Sequence, residues 1–144
     1  MGEDIFFADR NALLLENEVS SANKFRKQLK ALGYRRVLVA ADVAAARMLT
    51  ESASIDTALL DVNLKAGGSS IRFGKELAAD GVPVVFYSSF NAEAMAMATR
   101  GQELIEEPVS LSRLKAALLR AILRADPPLG ILSRTKMAGQ VARQ

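Results

Sequence analysis

The sequence of 144 residues contains no cysteine, no histidine and no tryptophan. Without thiols and imidazoles, a disulfide framework, a Cys/His zinc site, a thiol nucleophile and a Ser-His-Asp triad are all excluded. No apolar run approaches the roughly 20 residues that span a bilayer, and the acidic N-terminus does not resemble a signal peptide. Any chemistry must therefore rest on carboxylates, hydroxyls, amides, Lys and Arg. Because neither a membrane span nor a signal peptide is indicated, we expect a cytoplasmic protein.

The charges nearly balance, at 19 Lys and Arg against 16 Asp and Glu, which gives a net charge of +3. The length suits one domain, and a hydrophobic content of 50% is enough for one packed core. We expect an N-terminal extension over 1–10, a folded domain over 11–125 and a short basic C-terminal tail over 126–144. The sequence leaves open whether the tail is disordered or forms a short helix, and its few cations do not indicate nucleic-acid binding.

Short apolar runs alternate with amphipathic stretches along the predicted domain. Strands are predicted over 12–15, 36–40, 57–62, 82–87 and 103–106, and helices over 20–32, 43–51, 70–79, 92–99 and from about 110 to Pro127. Strands that alternate with helices indicate an α/β domain with a parallel sheet, helices on both faces and right-handed crossovers.

Polar side chains follow four of the predicted strands at their C-terminal ends. They are Glu16 and Asn17 after the first strand, Asp61 at the end of the third, Ser88 and Ser89 after the fourth, and Glu106 and Glu107 after the fifth. Ligands of open parallel sheets bind beyond the carboxyl ends of the strands, so these side chains are candidate site residues. The plainer alternative, that exposed strand ends are polar, explains the polarity but not the spacing.

This spacing resembles the receiver domain of two-component response regulators over residues 12–124. The segments that carry the resemblance are ALLLENE at 12–18, LLDVNL at 59–64 with Gly67-Gly68, PVVFYS at 83–88, Gly101, and Glu107-Pro108 where the family has Lys-Pro. The resemblance implies a flavodoxin-like (βα)5 doubly wound α/β fold with a five-stranded parallel sheet of order 2-1-3-4-5. It also implies a signalling phosphoprotein of a phosphorelay rather than an enzyme.

The resemblance assigns roles to individual residues. Asp61 corresponds to the phospho-acceptor, whose carboxylate attacks a phosphodonor, and Ser88 to the residue that contacts the phosphoryl group. A weak Mg²⁺ site is implied at Glu16, Asn17, Asp61 and the backbone carbonyl of Asn63.

Three positions depart from the family pattern. Asn17 replaces a carboxylate and weakens a site for Mg²⁺, a hard cation that prefers charged oxygen ligands. Glu107 stands where the family has Lys, which reverses the sign of the charge beside the phosphoryl group. The interaction at stake is substantial, because a unit charge pair at 4 Å is worth about 4 kcal/mol at an effective dielectric near 20. Leu104 occupies the aromatic switch position. Lys65 could bring an ammonium group to the site, although a solvated loop lysine is the plainer reading.

These departures predict a stand-alone pseudo-receiver with a degenerate active site and weak or no phosphorylation. The implied partners are a sensor histidine kinase or phosphotransfer protein and a downstream protein target, with a homodimer as a further option. We expect no direct DNA binding and no membrane contact. The family's docking face would include Ala94, Met97 and Ala98 with the helix from Leu111, although a buried helix face has the same pattern.

The alternative hypothesis is a small nucleotide- or flavin-binding protein of flavodoxin-like fold. The sequence has no P-loop, and no G-x-G-x-x-G follows the first strand. Gly67-Gly68 is a weak phosphate-loop signal and is more simply a tight turn.

Overall fold

The computed structural model describes residues 6–64, 69–89 and 92–125. Five strands alternate with five helices: β1 (Asn11–Leu15), α1 (Val19–Leu32), β2 (Arg36–Ala40), α2 (Val43–Ser52), β3 (Thr57–Asp61), α3 (Ser70–Ala79), β4 (Val84–Ser88), α4 (Ala92–Met95), β5 (Glu103–Glu106) and α5 (Leu111–Ala125). All strand pairs are parallel, in the order β2-β1-β3-β4-β5. The predicted flavodoxin-like doubly wound fold of order 2-1-3-4-5 is confirmed. None of the helices in these ranges has the length and apolar character that a membrane crossing needs.

The three central strands are buried along their whole length. Their side chains alternate between two hydrophobic clusters, as expected for a parallel sheet covered on both faces. Leu14 packs with α1 and α5 in one cluster, whereas Leu13 packs with α2 and α3 in the other. The residues at the carboxyl edge of the sheet are therefore held by packed strands.

The start of α1 is fixed by a cap next to the end of β1. The Glu18 carboxylate accepts hydrogen bonds from the backbone N–H groups of Ser20 and Ser21, which satisfies helix donors that lack intrahelical partners. Hydrogen bonds from Ser20 and Ser21, led by the Ser20 hydroxyl, lower the pKa of Glu18 to about 2. This cap places the loop between Glu16 and Glu18 in a defined conformation.

The fourth helix is shorter than predicted. The sequence predicts a helix over 92–99, but α4 ends at Met95 and the chain continues as turns. The Thr99 N–H still bonds the carbonyl of Met95, whereas Arg100 and Gln102 bond carbonyls only three residues back. The α-helical pattern of hydrogen bonds is therefore not sustained, and the prediction for 96–99 is wrong.

Other boundaries shift by a few residues. The fourth strand begins at Val84 rather than at residue 82, because Pro83 has no N–H for the ladder. The predicted roles of Lys65, Gly67-Gly68 and the tail over 126–144 lie outside the described residues.

The segment before β1 contributes to the core. Phe7 is fully buried in the cluster on the α1 and α5 side, and its ring stacks on Tyr34 with centroids 4.8 Å apart. Its backbone carbonyl accepts a 3.0 Å hydrogen bond from the N–H of Arg10. Part of the predicted N-terminal extension therefore packs as core.

Candidate functional site

Three acidic side chains meet at the carboxyl edge of the sheet. Glu16 follows β1, Asp61 ends β3 and Glu107 follows β5, and all three line one cavity of about 340 Å³. The remaining lining residues are Asn17, Glu18, Ser21, Asn63 and Ser89. The topology thus brings together most of the site residues predicted from the sequence, with Ser88 one hydrogen bond away through Asn63.

Asp61 is buried at the centre of this edge, with 7% of its surface exposed. Burial raises its pKa to about 6, and the negative charges of Glu16 and Glu107 add to the increase, while a hydrogen bond from the Asn63 N–H opposes it. That N–H donates to Asp61 Oδ1 at 2.8 Å. The carboxylate is therefore still mostly ionised at neutral pH, although its acidic neighbours would repel any further negative charge placed on it.

The backbone of Asp61 is tied to the start of α3. The Ser70 hydroxyl, itself buried, donates a 2.7 Å hydrogen bond to the Asp61 carbonyl oxygen. The end of β3 is therefore fixed independently of the Asp61 side chain.

Glu16 makes hydrogen bonds through both carboxylate oxygens. The Tyr87 hydroxyl donates to Oε1, and the N–H of Glu18 donates to Oε2 at 2.8 Å. Burial and the Glu16 carboxylate raise the pKa of Tyr87 above its usual range, so its hydroxyl remains a donor. Tyr87 was not among the residues predicted from the sequence, where it appears only as an apolar strand residue.

Ser88 is hydrogen-bonded to Asn63. Its hydroxyl donates to Asn63 Oδ1 at 2.9 Å, and the N–H of Ser89 donates to the same oxygen at 3.0 Å. The Asn63 side chain thus joins the turn after β3 to the end of β4. The Ser88 hydroxyl, which the resemblance assigns to phosphoryl contact, is therefore engaged in a hydrogen bond to Asn63.

Glu107 pairs with a cation from α1. Lys24 Nζ lies 4.0 Å from Glu107 Oε1, and 19% of the Glu107 side chain is exposed. The Glu107 N–H donates to the Ser88 carbonyl oxygen at 3.0 Å, which fixes the loop after β5 against β4. Lys24 was also missed from the sequence, since no local pattern signals a partner 83 positions along the chain. Leu104, at the predicted switch position, packs partly buried against the α2 and α3 cluster.

The predicted ligands make a poor Mg²⁺ site as they are arranged. Mg²⁺ needs near-octahedral oxygen ligands, usually including carboxylates. Both Glu16 oxygens are engaged in hydrogen bonds, and position 17 supplies an exposed amide. Over the described ranges, no group of three or more acidic side chains is arranged to hold a metal ion. All four predicted ligand residues, Glu16, Asn17, Asp61 and Asn63, line the cavity, so the weak Mg²⁺ site stays a prediction.

Comparison with solved structures gives consistent matches to one fold. A receiver domain of PhyR from Erythrobacter litoralis aligns with a TM-score of 0.72 and 20% identity, covering 86% of this chain and 98% of that one. A response regulator receiver protein from Sinorhizobium medicae aligns with a TM-score of 0.69 and 18% identity, covering 81% and 96%. The chain has the receiver-domain fold.

SdrG from Sphingomonas melonis shares this fold at a TM-score of 0.64 and 27% identity, covering 81% of this chain and 98% of that one. Each of these three proteins is matched over nearly its whole length, so the match includes their whole fold. No protein-family model matches the sequence, and no curated protein matches it either.

Proposed function

We propose that this chain is a receiver of a two-component phosphorelay whose site disfavours phosphorylation and whose output is protein–protein contact. The observation that carries the proposal is the acidic surrounding of the phospho-acceptor position. Glu16 and Glu107 both raise the pKa of Asp61, and the side chain of Lys24, the cation paired with Glu107, is 45% exposed. The proposed signalling role rests on the receiver fold. The altered residues of the site are the reason to propose weak or no phosphorylation.

Electrostatics argue against a stable aspartyl phosphate. A phosphoryl group on Asp61 would add negative charge to a cavity that Glu16, Glu18 and Glu107 already line. Each unit charge pair at 4 Å contributes about 4 kcal/mol of repulsion at an effective dielectric near 20. The same acidic lining disfavours the phosphates of a nucleotide or flavin, so no observation supports the alternative function.

The proposed output is docking of a protein target. The predicted docking face carries exposed apolar side chains in this structure, with Met97 at 72% exposure and Leu111 at 41%. Methionine is a flexible, polarisable contact residue suited to such surfaces. The upstream partner would be a sensor histidine kinase or a phosphotransfer protein, and the cytoplasm is the proposed location. DNA binding is not part of the proposal.

The phosphorylation part is tested with the purified chain, acetyl phosphate and Mg²⁺. Intact-mass spectrometry should detect little or no gain of one phosphoryl group. The Asp61→Asn variant is the control for labelling at other sites. Robust labelling that disappears in Asp61→Asn would contradict the degenerate site while leaving the receiver fold untouched.

The partner part is tested by phosphotransfer and by capture. We expect slow or no transfer from a histidine-phosphorylated phosphotransfer protein, but measurable binding to it or to a target without phosphodonor. Met97→Glu should weaken that binding, whereas Met48→Glu, equally exposed on α2 at 70%, should not. Binding that requires phosphorylation would contradict the proposal.

A further inference from the structure

Tyr87 lies beside Asp61 in the sheet, in the register that pairs β3 with β4. From there its hydroxyl reaches across to Glu16 at the end of β1. We propose that this hydrogen bond is what removes Glu16 from metal binding, so that Tyr87 keeps the carboxyl edge of this receiver free of Mg²⁺.

The tyrosine has little freedom to move away from Glu16. Tyr87 is fully buried, and its ring lies 4.4 Å from the ring of Phe25 on α1, measured between centroids. Rotation of the ring out of this place would leave a void in a close-packed core. The donor is therefore positioned by packing that does not depend on Glu16.

The acceptor is held equally well. Glu16 is 5% exposed, and its second oxygen accepts the N–H of Glu18, which is itself fixed as the cap of α1. A metal ion at Glu16 would compete with these donors for the lone pairs of the carboxylate. Displacing Tyr87 would leave its buried hydroxyl without a partner, which is unfavourable.

The size of the effect follows from the strength of the displaced bond. A metal ion that displaces the hydrogen bond from Tyr87 to Glu16 must offset the free energy of that bond. For a hydrogen bond to a charged group, this lowers the metal affinity roughly 10- to 100-fold. Tyr87→Phe removes the hydroxyl and keeps the ring in place, so it should raise the metal affinity by the same factor. The missing carboxylate at position 17 lowers the affinity separately, through the charge of the ligand set.

The test is calorimetric titration of Mg²⁺, and of Mn²⁺ as a second probe, into Tyr87→Phe and the unmodified chain. We expect Tyr87→Phe to bind either ion at least tenfold more tightly, and Tyr87→Phe with Asn17→Asp to bind more tightly still. Tyr34→Phe is the matched control, because it removes a buried tyrosine hydroxyl near the opposite edge of the sheet. Equal affinities for Tyr87→Phe, Tyr34→Phe and the unmodified chain would overturn the inference.

A second measurement does not require Tyr87→Phe to fold. The chain has two tyrosines and no tryptophan, so the fluorescence of Tyr34→Phe reports Tyr87 alone. If Mg²⁺ binds at Glu16, it should do so by displacing Tyr87, so any binding that is seen by calorimetry and lost in Glu16→Gln should change this emission. Binding at Glu16 that leaves the emission unchanged would mean that the metal and Tyr87 share the carboxylate, and the inference would be wrong.

The inference rests on the proposed function, because it concerns metal binding at the same site. The two can nevertheless be contradicted separately. Both measurements omit phosphodonor and partner. A negative result here would leave the acetyl phosphate experiment fully informative, and the reverse holds as well.

Discussion

The Ser88 hydroxyl donates a 2.9 Å hydrogen bond to the side-chain oxygen of Asn63. Asn63 lies in the turn after β3 and Ser88 at the end of β4, 25 positions apart in the sequence. A second donor, the N–H of Ser89, reaches the same oxygen at 3.0 Å. One amide thus joins the turn after β3 to the end of β4, next to Asp61.

Removing this amide should loosen the end of β4. In Asn63→Ala, the N–H of Ser89 loses its acceptor, and we expect its hydrogen exchange to be about fivefold faster, equivalent to about 1 kcal/mol. The hydrogen bond from the N–H of residue 63 to Asp61 Oδ1 does not involve the side chain of residue 63 and should persist. Asn23→Ala, on the exposed face of α1, is the control. Unchanged exchange at Ser89 would show that the amide is not what holds this strand end.

The raised pKa of Asp61 predicts a pH dependence of stability. Its value of about 6 in the folded state exceeds the ordinary 3.8, so between these pH values the folded state binds more protons than the unfolded state. Stability contributed by this group is therefore present below about pH 4 and is lost as the pH rises through 6. The loss is bounded by about 3 kcal/mol.

Asp61→Asn should remove that dependence. Urea unfolding should show the variant to be more stable than the unmodified chain above pH 6, with the difference shrinking toward pH 4. Asp80→Asn, an exposed residue after α3, controls for the loss of one negative charge. A difference between Asp61→Asn and the unmodified chain that does not change with pH would contradict the prediction.

The fold could be read from the sequence because its signals are local. Apolar runs such as 57–61 are buried on both faces, and their alternation with amphipathic stretches indicated a parallel sheet. The carboxyl ends of these runs then placed Glu16, Asp61 and Glu107 at one edge, and the structure brings them together.

The partners of those residues could not be read in the same way. The bonds from Tyr87 to Glu16 and from Lys24 to Glu107 join residues 71 and 83 positions apart, and they depend on strand register and helix rotation. The end of α4 was missed because hydrogen bonds three residues back replace the helical pattern without any Gly or Pro before Gly101. Phe7 was missed because one aromatic residue in a short segment has no periodicity.

Gly74 on α3 should not tolerate alanine. A Cβ there would overlap Phe86 Cζ and would lie 2.8 Å from Leu60 Cδ1, and both side chains are fully buried. We expect Gly74→Ala to lower the free energy of unfolding by about 1–3 kcal/mol, although alanine is the better helix former. Denaturant unfolding measures the effect.

A second substitution, Phe86→Leu, provides the control for this clash. Phe86→Leu removes the ring atoms that the new Cβ would meet. The double variant should therefore lose less stability than the sum of the two single variants, as expected for residues in contact. Additive losses would mean that close packing against Phe86 is not why position 74 is glycine.

Phe7 should matter to stability far more than its neighbour Phe6. Phe7 is fully buried and stacked on Tyr34, so Phe7→Ala should lower the free energy of unfolding by about 3–5 kcal/mol. Phe6 is 38% exposed, and Phe6→Ala should have an effect below about 1 kcal/mol. Thermal unfolding compares the two variants directly. Similar small losses for both would mean that the segment before β1 is not part of the core.

The sign of the charge at position 107 should control phosphorylation of Asp61. Glu107 raises the pKa of Asp61, so Glu107→Gln should lower that pKa, and Glu107→Lys should lower it further. Lys24 would lose its partner in both variants, but its side chain is 45% exposed and can turn into solvent. Labelling by acetyl phosphate should therefore increase from Glu to Gln to Lys, and again when Asn17→Asp is added.

Glu106 offers a matched control for this series. It is the last residue of β5, exposed and adjacent in sequence, but it does not line the cavity. Glu106→Lys changes the net charge of the chain by the same amount as Glu107→Lys and should leave the labelling rate within about twofold, since an exposed charge is screened by solvent. If both lysine variants accelerated labelling equally, the effect would come from net charge, and the placement of Glu107 beside Asp61 would not explain the proposed weak phosphorylation.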